Sequence, residues 1–371
     1  MRKENLITVI IFLTMIFAGG AAFWLIPDKT FSEEENRYLE ECPKISGEKI
    51  MSGEFMEDFD TYVSDQFPLR NVLMEGASDY KYIIGMRDIN GAYVGKDGYI
   101  MTKTDKFSVD YEQIERNIRH LNDFFAKYKD GLGEDNICFM LVPEAAMVLE
   151  DKLPDYADCE WENELLYNIR AEIENAEILA AEKYFDESNR QLYYKTDHHW
   201  SGYGAFEAYR VYAEHYGRDA RFSDYEWKIV TDSFKGSLYS KVLLSGTASD
   251  EIVLDAGMNE IKITADGEEM LLYEYEALEQ KDKYEVFLGG NYGLVEIEGK
   301  GEGTLLILKD SFANSFVPFL VNDYEKIVMI DLRYYMGDID IIMESKNISQ
   351  ILVLYQITNF ISDENMIKLG L

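Results

Sequence analysis

Two short segments hold the side chains best suited to covalent chemistry. The first, Lys195-Thr196-Asp197-His198-His199-Trp200-Ser201, places one carboxylate and two of the chain's four histidines at consecutive positions. The second, Thr304-Leu305-Leu306-Ile307-Leu308-Lys309-Asp310-Ser311-Phe312-Ala313-Asn314-Ser315, is an apolar run that stops abruptly at Asp310-Ser311. A serine hydroxyl becomes a useful nucleophile only when a base removes its proton, and an imidazole serves best as that base when a carboxylate fixes its tautomer. Ser311, His199 and Asp197 supply these three types. Each also has a plainer role: Asp197 and His199 as a turn and capping cluster, Ser311 as the cap of the helix that follows it. Asp197 and His199 are close enough in sequence to share a metal ion, but no His-Glu-x-x-His pattern accompanies them, and no metal or other cofactor is expected.

The elements that must position these residues follow from hydrophobic periodicity. Ile114, Ile118, Leu121, Phe125 and Tyr128 recur at helical spacing, and Ile137 to Val142 is a continuous apolar strand ended by Pro143. A second helical pattern runs through Leu165, Ile169, Ile173 and Ile178. Ser201 is placed to cap a helix from Gly202 to Tyr216. Further short apolar runs lie at Thr304 to Leu308, Lys326 to Ile330 and Gln350 to Leu354, and a helix with Phe312, Phe316, Phe319 and Leu320 on one face is expected after Ser311. Apolar strands alternating with helices predict an α/β fold with a mainly parallel sheet covered on both faces, and with ligand sites beyond the carboxyl ends of its strands. A serine at such a strand end projects from the sheet, and the backbone N–H groups of the new helix can form an oxyanion hole. Arg333 falls just beyond another strand end, where it suits either a polar or anionic substrate group or a structural ion pair. Residues 220–300 show short alternating β patterns with an Asp266-Gly267 turn, and read as a β-rich insertion. Asp97-Gly98 marks another hairpin.

Charge and composition limit the partners. Acids outnumber bases 70 to 36, giving a formal charge of −34, which excludes nucleic acid as a ligand. It also opposes a strongly acidic polymer, unless a local basic pocket around Arg333 or Lys309 offsets it. With 47% hydrophobic and 14% aromatic residues the chain has ample core material. Cys42, Cys138 and Cys159 allow at most one disulfide. Leu6 to Ile26 is free of charge and would span about 31 Å as a helix, close to one hydrocarbon core. Arg2 and Lys3 precede it and Glu33, Glu34 and Glu35 follow, so the bulk of the chain is expected outside the cytoplasm, held by a membrane anchor or secreted after signal-peptide cleavage. The chain thus divides into a signal anchor or signal peptide (residues 1–28), a membrane-proximal part (29–110) and an α/β domain (111–371) with the β-rich insertion at about 220–300.

Thr196-Asp197-His198-His199-Trp200, taken with Leu308 to Ser315 and Pro318-Phe319-Leu320, resembles the DHHW protein family. Gln66-Phe67-Pro68-Leu69-Arg70, Tyr93 to Tyr99 and Ile330-Asp331-Leu332-Arg333-Tyr334-Tyr335 also look like its recurrent features. That family is similar to the SGNH-hydrolase-like alginate O-acetyltransferases of bacterial exopolysaccharide systems. The resemblance implies an SGNH-hydrolase-like three-layer fold with permuted motif order, and a triad of Ser311 as nucleophile, His199 as base and Asp197 as its orienting acid. His198 would then lie behind the triad, and Trp200, Lys309, Asp310, Arg333, Gln356 and Asn359 become supporting or substrate-binding candidates. Lys309-Asp310-Ser311 departs from the Gly-Asp-Ser of many SGNH enzymes, and the oxyanion-hole asparagine has no unambiguous counterpart, with Gln356 and Asn359 after the last strand as candidates. The implied activity is acetyl transfer to, or hydrolysis from, a cell-envelope or exported polysaccharide, with a multi-spanning membrane O-acyltransferase as partner. The competing reading is a non-catalytic glycan-binding or scaffold component of the same machinery.

Overall fold

The computed structural model describes residues 3–370; Arg2, on which part of the charge asymmetry rests, lies outside the described residues. The chain forms two compact units, one comprising the residues up to Ile89 together with Tyr239–Thr247, the other Asn90–Leu238 and the residues from Ala248 onward. The first unit begins with the helix Lys3–Leu25. Among the described residues, Leu6–Leu25 is the one helical segment long and apolar enough to cross a membrane. Helices Glu54–Asp65 and Arg70–Ile83 follow in the same unit, joined by a turn in which Leu69 takes a left-handed conformation.

The second unit is built on an eight-stranded sheet. Its strands are β1 (Ile137–Val142), β2 (Glu177–Ile178), β3 (Lys262–Ala265), β4 (Glu268–Leu271), β5 (Leu294–Glu298), β6 (Thr304–Lys309), β7 (Lys326–Ile330) and β8 (Gln350–Gln356). They lie side by side in the order β4-β3-β5-β7-β6-β8-β1-β2. The five strands from β7 to β2 are mutually parallel, while β3, β4 and β5 extend the sheet antiparallel. Every residue of β1 is buried, as are Leu305–Lys309, Ile327–Ile330 and Ile351–Gln356. Successive strand residues point to opposite faces, so continuous burial means that both faces are covered, as the apolar runs require.

Register fixes where the chemistry emerges. Lys309 of β6 lies level with Leu354 of β8, and Leu308 with Ile330 of β7. Asp310-Ser311, Gln356 and Asp331 therefore leave the same edge of the sheet, at the carboxyl ends of its parallel strands.

Several sequence expectations change in detail. The helix expected through Ile178 ends at Glu172, because Asn175 adopts a left-handed backbone (φ 63°) and turns the chain into β2, whose Ile178 pairs with Phe139. The helix after Ser311 is only Phe312–Phe316, followed by a tighter turn over Val317–Leu320 that contains Pro318. All nine of these residues are buried, so the segment has no single apolar face. Within residues 220–300, β3, β4 and β5 join the central sheet, and Trp227–Phe234 pairs with Asp250–Asp255 in a separate two-stranded sheet. Both Asp-Gly turns are hairpins as expected, joining β3 to β4 and Ala92–Val94 to Ile100–Thr102.

The helix Gly202–His215 draws the two motif segments together. Ser201 caps it, accepting from the N–H groups of Tyr203 and Gly204. Its Phe206, Tyr209 and Tyr212 rings pack against Phe316 and Phe319, 5.5–6.2 Å between centroids. A Cβ on Gly204 would stand 2.2 Å from the Leu192 carbonyl oxygen, a backbone atom with no freedom to withdraw. Gly204→Ala is therefore expected to destabilise the protein by about 1–3 kcal/mol through overpacking, read as a lower denaturant midpoint; an unchanged midpoint would show that this close approach is dispensable.

Candidate active site

The histidine segment is a closed loop. Tyr193 bridges to Trp200, the Tyr194 N–H donates to the His199 carbonyl at 3.2 Å, and the Ser201 N–H donates to the Leu192 carbonyl at 2.7 Å. Inside the loop the Asp250 carboxylate accepts from the N–H of Lys195, the N–H of Thr196 and the Thr196 hydroxyl, at 2.9, 2.8 and 2.6 Å. Trp200 is fully buried, and its indole N–H is shared between the Phe312 carbonyl at 3.0 Å and Ser315 Oγ at 2.9 Å. That side chain ties the histidine loop to the segment following Ser311.

The three expected residues come together. His199 Nε2 is 2.7 Å from Ser311 Oγ, and His199 Nδ1 is 2.6 Å from Asp197 Oδ1. The same carboxylate oxygen accepts the His199 backbone N–H at 3.0 Å. The other accepts the backbone N–H and hydroxyl of Ser237, at 2.8 and 2.9 Å. Burial by itself would raise the Asp197 carboxyl, but the neighbouring imidazoles and the bonds from His199 outweigh it and hold the group well below the ordinary carboxylate range. Gly236 leaves room for this arrangement, since a Cβ there would fall 2.3 Å from the Asp197 side chain. The Tyr284 ring lies flat on the His199 imidazole, 3.7 Å between centroids and 8° between planes, while its hydroxyl reaches the Ser311 carbonyl and Ser315 Oγ at 3.2 and 3.0 Å. His198 is one-third exposed and bonds through Nδ1 to Ser237 Oγ at 2.8 Å.

Asp310 braces the turn that carries Ser311. Its Oδ1 accepts the Phe312 N–H at 2.9 Å, and its Oδ2 accepts the Gln356 N–H and Asn359 Nδ2 at 2.8 Å each. Burial raises this carboxyl, opposed by those three donors. The amides of Asp310, Phe312, Ala313 and Asn314 all have acceptors within the chain, which leaves the Ser311 N–H as the amide of this turn open to an oxyanion. The expectation that several amides of the new helix line such a hole is thus reduced to one. Asn359 and Gln356 are held in place: Gln356 Oε1 accepts the Asn359 N–H at 3.0 Å, and Asn359 Nδ2 is bonded to Asp310.

Lys309 is fully buried. Its ammonium donates to Asn314 Oδ1 at 2.9 Å and Asn291 Oδ1 at 3.1 Å, with Asp331 Oδ2 at 3.7 Å, and burial lowers its pKa to about 8 against the pull of Asp331. Arg333 grips Asp331 with two parallel bonds, Nε to Oδ1 at 2.8 Å and Nη2 to Oδ2 at 2.6 Å. Of the two roles open to Arg333, the ion pair is the one formed. Asp331 thereby balances one of the two neighbouring cations, Lys309 and Arg333.

Asp197, His198 and His199 are the group among the described residues whose ligand atoms lie close enough to share a metal ion, all within 4.8 Å. Yet the Asp197–His199 separation of 2.6 Å is a hydrogen bond. Two ligands each about 2.0 Å from one tetrahedral zinc stand roughly 3.3 Å apart.

Residues that sequence reasoning missed include Ser237, Asp250 and Tyr284, which are distant in sequence and carried no pattern. Two buried acids were also missed. Glu144 follows β1 at the carboxyl edge, accepts from the Thr358 hydroxyl at 2.6 Å, and is raised by burial. Its position after Pro143, at the end of an apolar strand, was a usable signal. Glu162 is raised to about 7, by burial first, opposed by Thr104 and reinforced by the charge of Glu144. The fold favours the neutral form of Glu162, so this stability is full below the ordinary value of 4.5 and is lost as the pH rises through about 7. Over that window the loss is about 3 kcal/mol, and Glu162→Gln is expected to flatten it. Denaturant midpoints at about pH 5 and pH 8 measure this; equal pH dependence in the parent and the variant would contradict it.

Residues 158–330 match the family model described as DHHW protein, a stretch that includes both the histidine loop and Ser311. The resemblance read from the sequence therefore holds. A DHHW family protein from Eubacterium siraeum DSM 15702 has a similar structure, with a TM-score of 0.61 and 21% identity over 76% of this chain and 95% of that one. Bacillus cereus PatB1 is similar at a TM-score of 0.60 and 22% identity, covering 72% of this chain and 96% of its own, and is also known with a sulfonyl adduct. The O-acetyltransferase domain of Pseudomonas putida AlgJ superposes at a TM-score of 0.43, with 14% identity over 74% and 93% of the two chains. A search of the curated proteins gives no match.

Proposed function

We propose that the chain is a serine-dependent O-acyltransferase or acylesterase, with its second unit outside the cytoplasm, that moves an acetyl group to or from a hydroxyl of a cell-envelope polysaccharide. The observation that carries this reading is the line of hydrogen bonds from Asp197 through His199 to Ser311, at 2.6 and 2.7 Å. His199 Nε2 takes the Ser311 proton as Oγ attacks the acyl carbonyl. The bond to the leaving group then breaks, the leaving group receives that proton, and an ester remains on Ser311. A sugar hydroxyl or water attacks the ester in turn, gives its proton to His199, and returns Ser311 to its starting state. Asp197 holds the tautomer and stabilises the imidazolium in both halves. The flat contact with Tyr284 fixes the plane of the ring, and the Ser311 N–H faces the developing oxyanion.

The choice of acetyl and polysaccharide comes from the resemblance to the DHHW family and its exopolysaccharide relatives. The helix Leu6–Leu25 supports attachment to the membrane or export through it, which also suits a multi-spanning partner that delivers the acyl group.

Hydrolysis of p-nitrophenyl acetate by the full-length protein in detergent tests the serine chemistry. Ser311→Ala and His199→Ala are expected to lower kcat/KM by about a thousandfold or more, and Asp197→Asn by about a hundredfold to ten-thousandfold, with folding intact. Phenylmethylsulfonyl fluoride, a reagent suggested by the sulfonyl adduct of PatB1, is expected to inactivate the parent. A folded Ser311→Ala protein that matches the parent would sink the proposal.

A further inference from the structure

The two imidazoles of the histidine loop lie one over the other, 3.9 Å between centroids and tilted by 36°. Their Nδ1 atoms face the same carboxylate oxygen, Asp197 Oδ1, at 2.6 Å for His199 and 3.6 Å for His198, so both Nε2 atoms point away from it. The hydrogen bonds around Ser237 then locate the His198 proton. Asp197 is held ionised and has no proton to give, so the 2.9 Å contact between its Oδ2 and Ser237 Oγ is made by the Ser237 proton. A hydroxyl has one proton to donate. Ser237 Oγ therefore accepts in its 2.8 Å contact with His198, and His198 Nδ1 is the donor. In the neutral ring this leaves Nε2 bare. Loss of water around the ring, and His199 beside it, lower the pKa of His198 and favour that neutral form.

His199 Nε2 is bare in the same way, but Ser311 Oγ occupies it at 2.7 Å. His198 Nε2 has no partner among the described residues and is open to solvent, on a side chain 34% exposed. The site thus presents two bare imidazole nitrogens on neighbouring rings, one committed to the serine and one free. His198 therefore stands beside the triad, not behind it. A lone pair on a neutral ring accepts from a hydroxyl and offers nothing to a carboxylate or phosphate. Asp197, Glu144 and Asp310, whose charges act on His198, oppose an anion further. An acceptor molecule that gives one hydroxyl to His199 brings the hydroxyl on its adjacent carbon to the neighbouring ring.

We propose that His198 Nε2 accepts a hydrogen bond from the second hydroxyl of a vicinal diol and so selects ligands with two adjacent hydroxyls; that the diol is the acyl acceptor rests on the acyl-transfer reading above. His198→Asn keeps a donor for Ser237 and removes the acceptor, whereas His198→Gln returns an acceptor to the Nε2 position. Acetyl transfer from p-nitrophenyl acetate by the full-length protein in detergent is compared for trans-1,2-cyclohexanediol and cyclohexanol, and the ratio within each protein cancels any general change of rate. The parent is expected to favour the diol by about tenfold, His198→Asn to fall to about the twofold that two hydroxyls give by number, and His198→Gln to recover much of the preference. No preference in an active parent, or the full preference in a folded His198→Asn protein, would overturn the assignment. Imidazole nitrogen NMR of the full-length Ser311→Ala protein, labelled in its four histidines, reads the same site without acyl chemistry, with the His198 signals identified by their loss in His198→Asn. The proton is expected on Nδ1, and the bare Nε2 resonance should move on adding the diol and move less with cyclohexanol. A proton on Nε2, or a resonance that the diol leaves in place, would overturn the proposal. An inactive parent whose Nε2 still answers to the diol would remove the acyl-transfer reading and leave the diol site standing.

Discussion

The site depends on one buried side chain, the indole of Trp200. The histidine loop and the serine turn are distant in sequence, and nothing in either segment alone would hold an imidazole within hydrogen-bond reach of a hydroxyl. The Trp200 N–H, shared by the Phe312 carbonyl and Ser315, clamps the residue after His199 to the residues after Ser311. Rings of the helix Gly202–His215 pack on Phe316 and Phe319 and extend that clamp into the core. Aromatic pairs of this kind contribute about 0.5–1.5 kcal/mol each beyond burial. Several together are a large share of the marginal stability of a domain.

The two buried aspartates beside the serine differ in a way that assigns them different work. Asp197 receives four N–H and O–H donors, one of them from His199 Nδ1, and its carboxyl is pushed down. Asp310 receives three uncharged donors, none from an imidazole, and its carboxyl is pushed up. Only the first suits the stabilisation of an imidazolium. The second ties the end of β6 to the end of β8 and so aims Ser311. Lys309 and Arg333 share the single buried carboxylate of Asp331, Arg333 through two parallel bonds and Lys309 at 3.7 Å. A lone buried ion is costly by several kcal/mol, so each of these groups persists because its partners are within reach.

Much of this was legible in the residues, for identifiable reasons. The continuous apolar runs in β1, β6, β7 and β8 could be read because full burial on both faces leaves no polar position in a strand. Strands β3 and β5 were harder to place in the sheet: β5 buries Val295 and Ile297 and leaves Glu296 half-buried, so its alternation reads as a separate β element. The spacing of Ile169, Ile173 and Ile178 mimics a helix across a turn that only Asn175 betrays. At the site, Asp197, His199 and Ser311 were found because serine chemistry needs those types. Ser237, Asp250 and Tyr284 were not, since a hydrogen-bond donor or a stacked ring supplied by the tertiary fold leaves no periodic trace.

Whether Ser311 carries the acyl group can be read directly by mass spectrometry. The full-length protein, mixed with p-nitrophenyl acetate and quenched in acid within the first turnover, should yield a peptide containing Ser311 that has gained one acetyl group. The label should be absent from the Ser311→Ala protein and sharply reduced in His199→Ala. Acetyl found on another residue, or no covalent acetyl while p-nitrophenol is still released, would contradict a Ser311 ester as the intermediate.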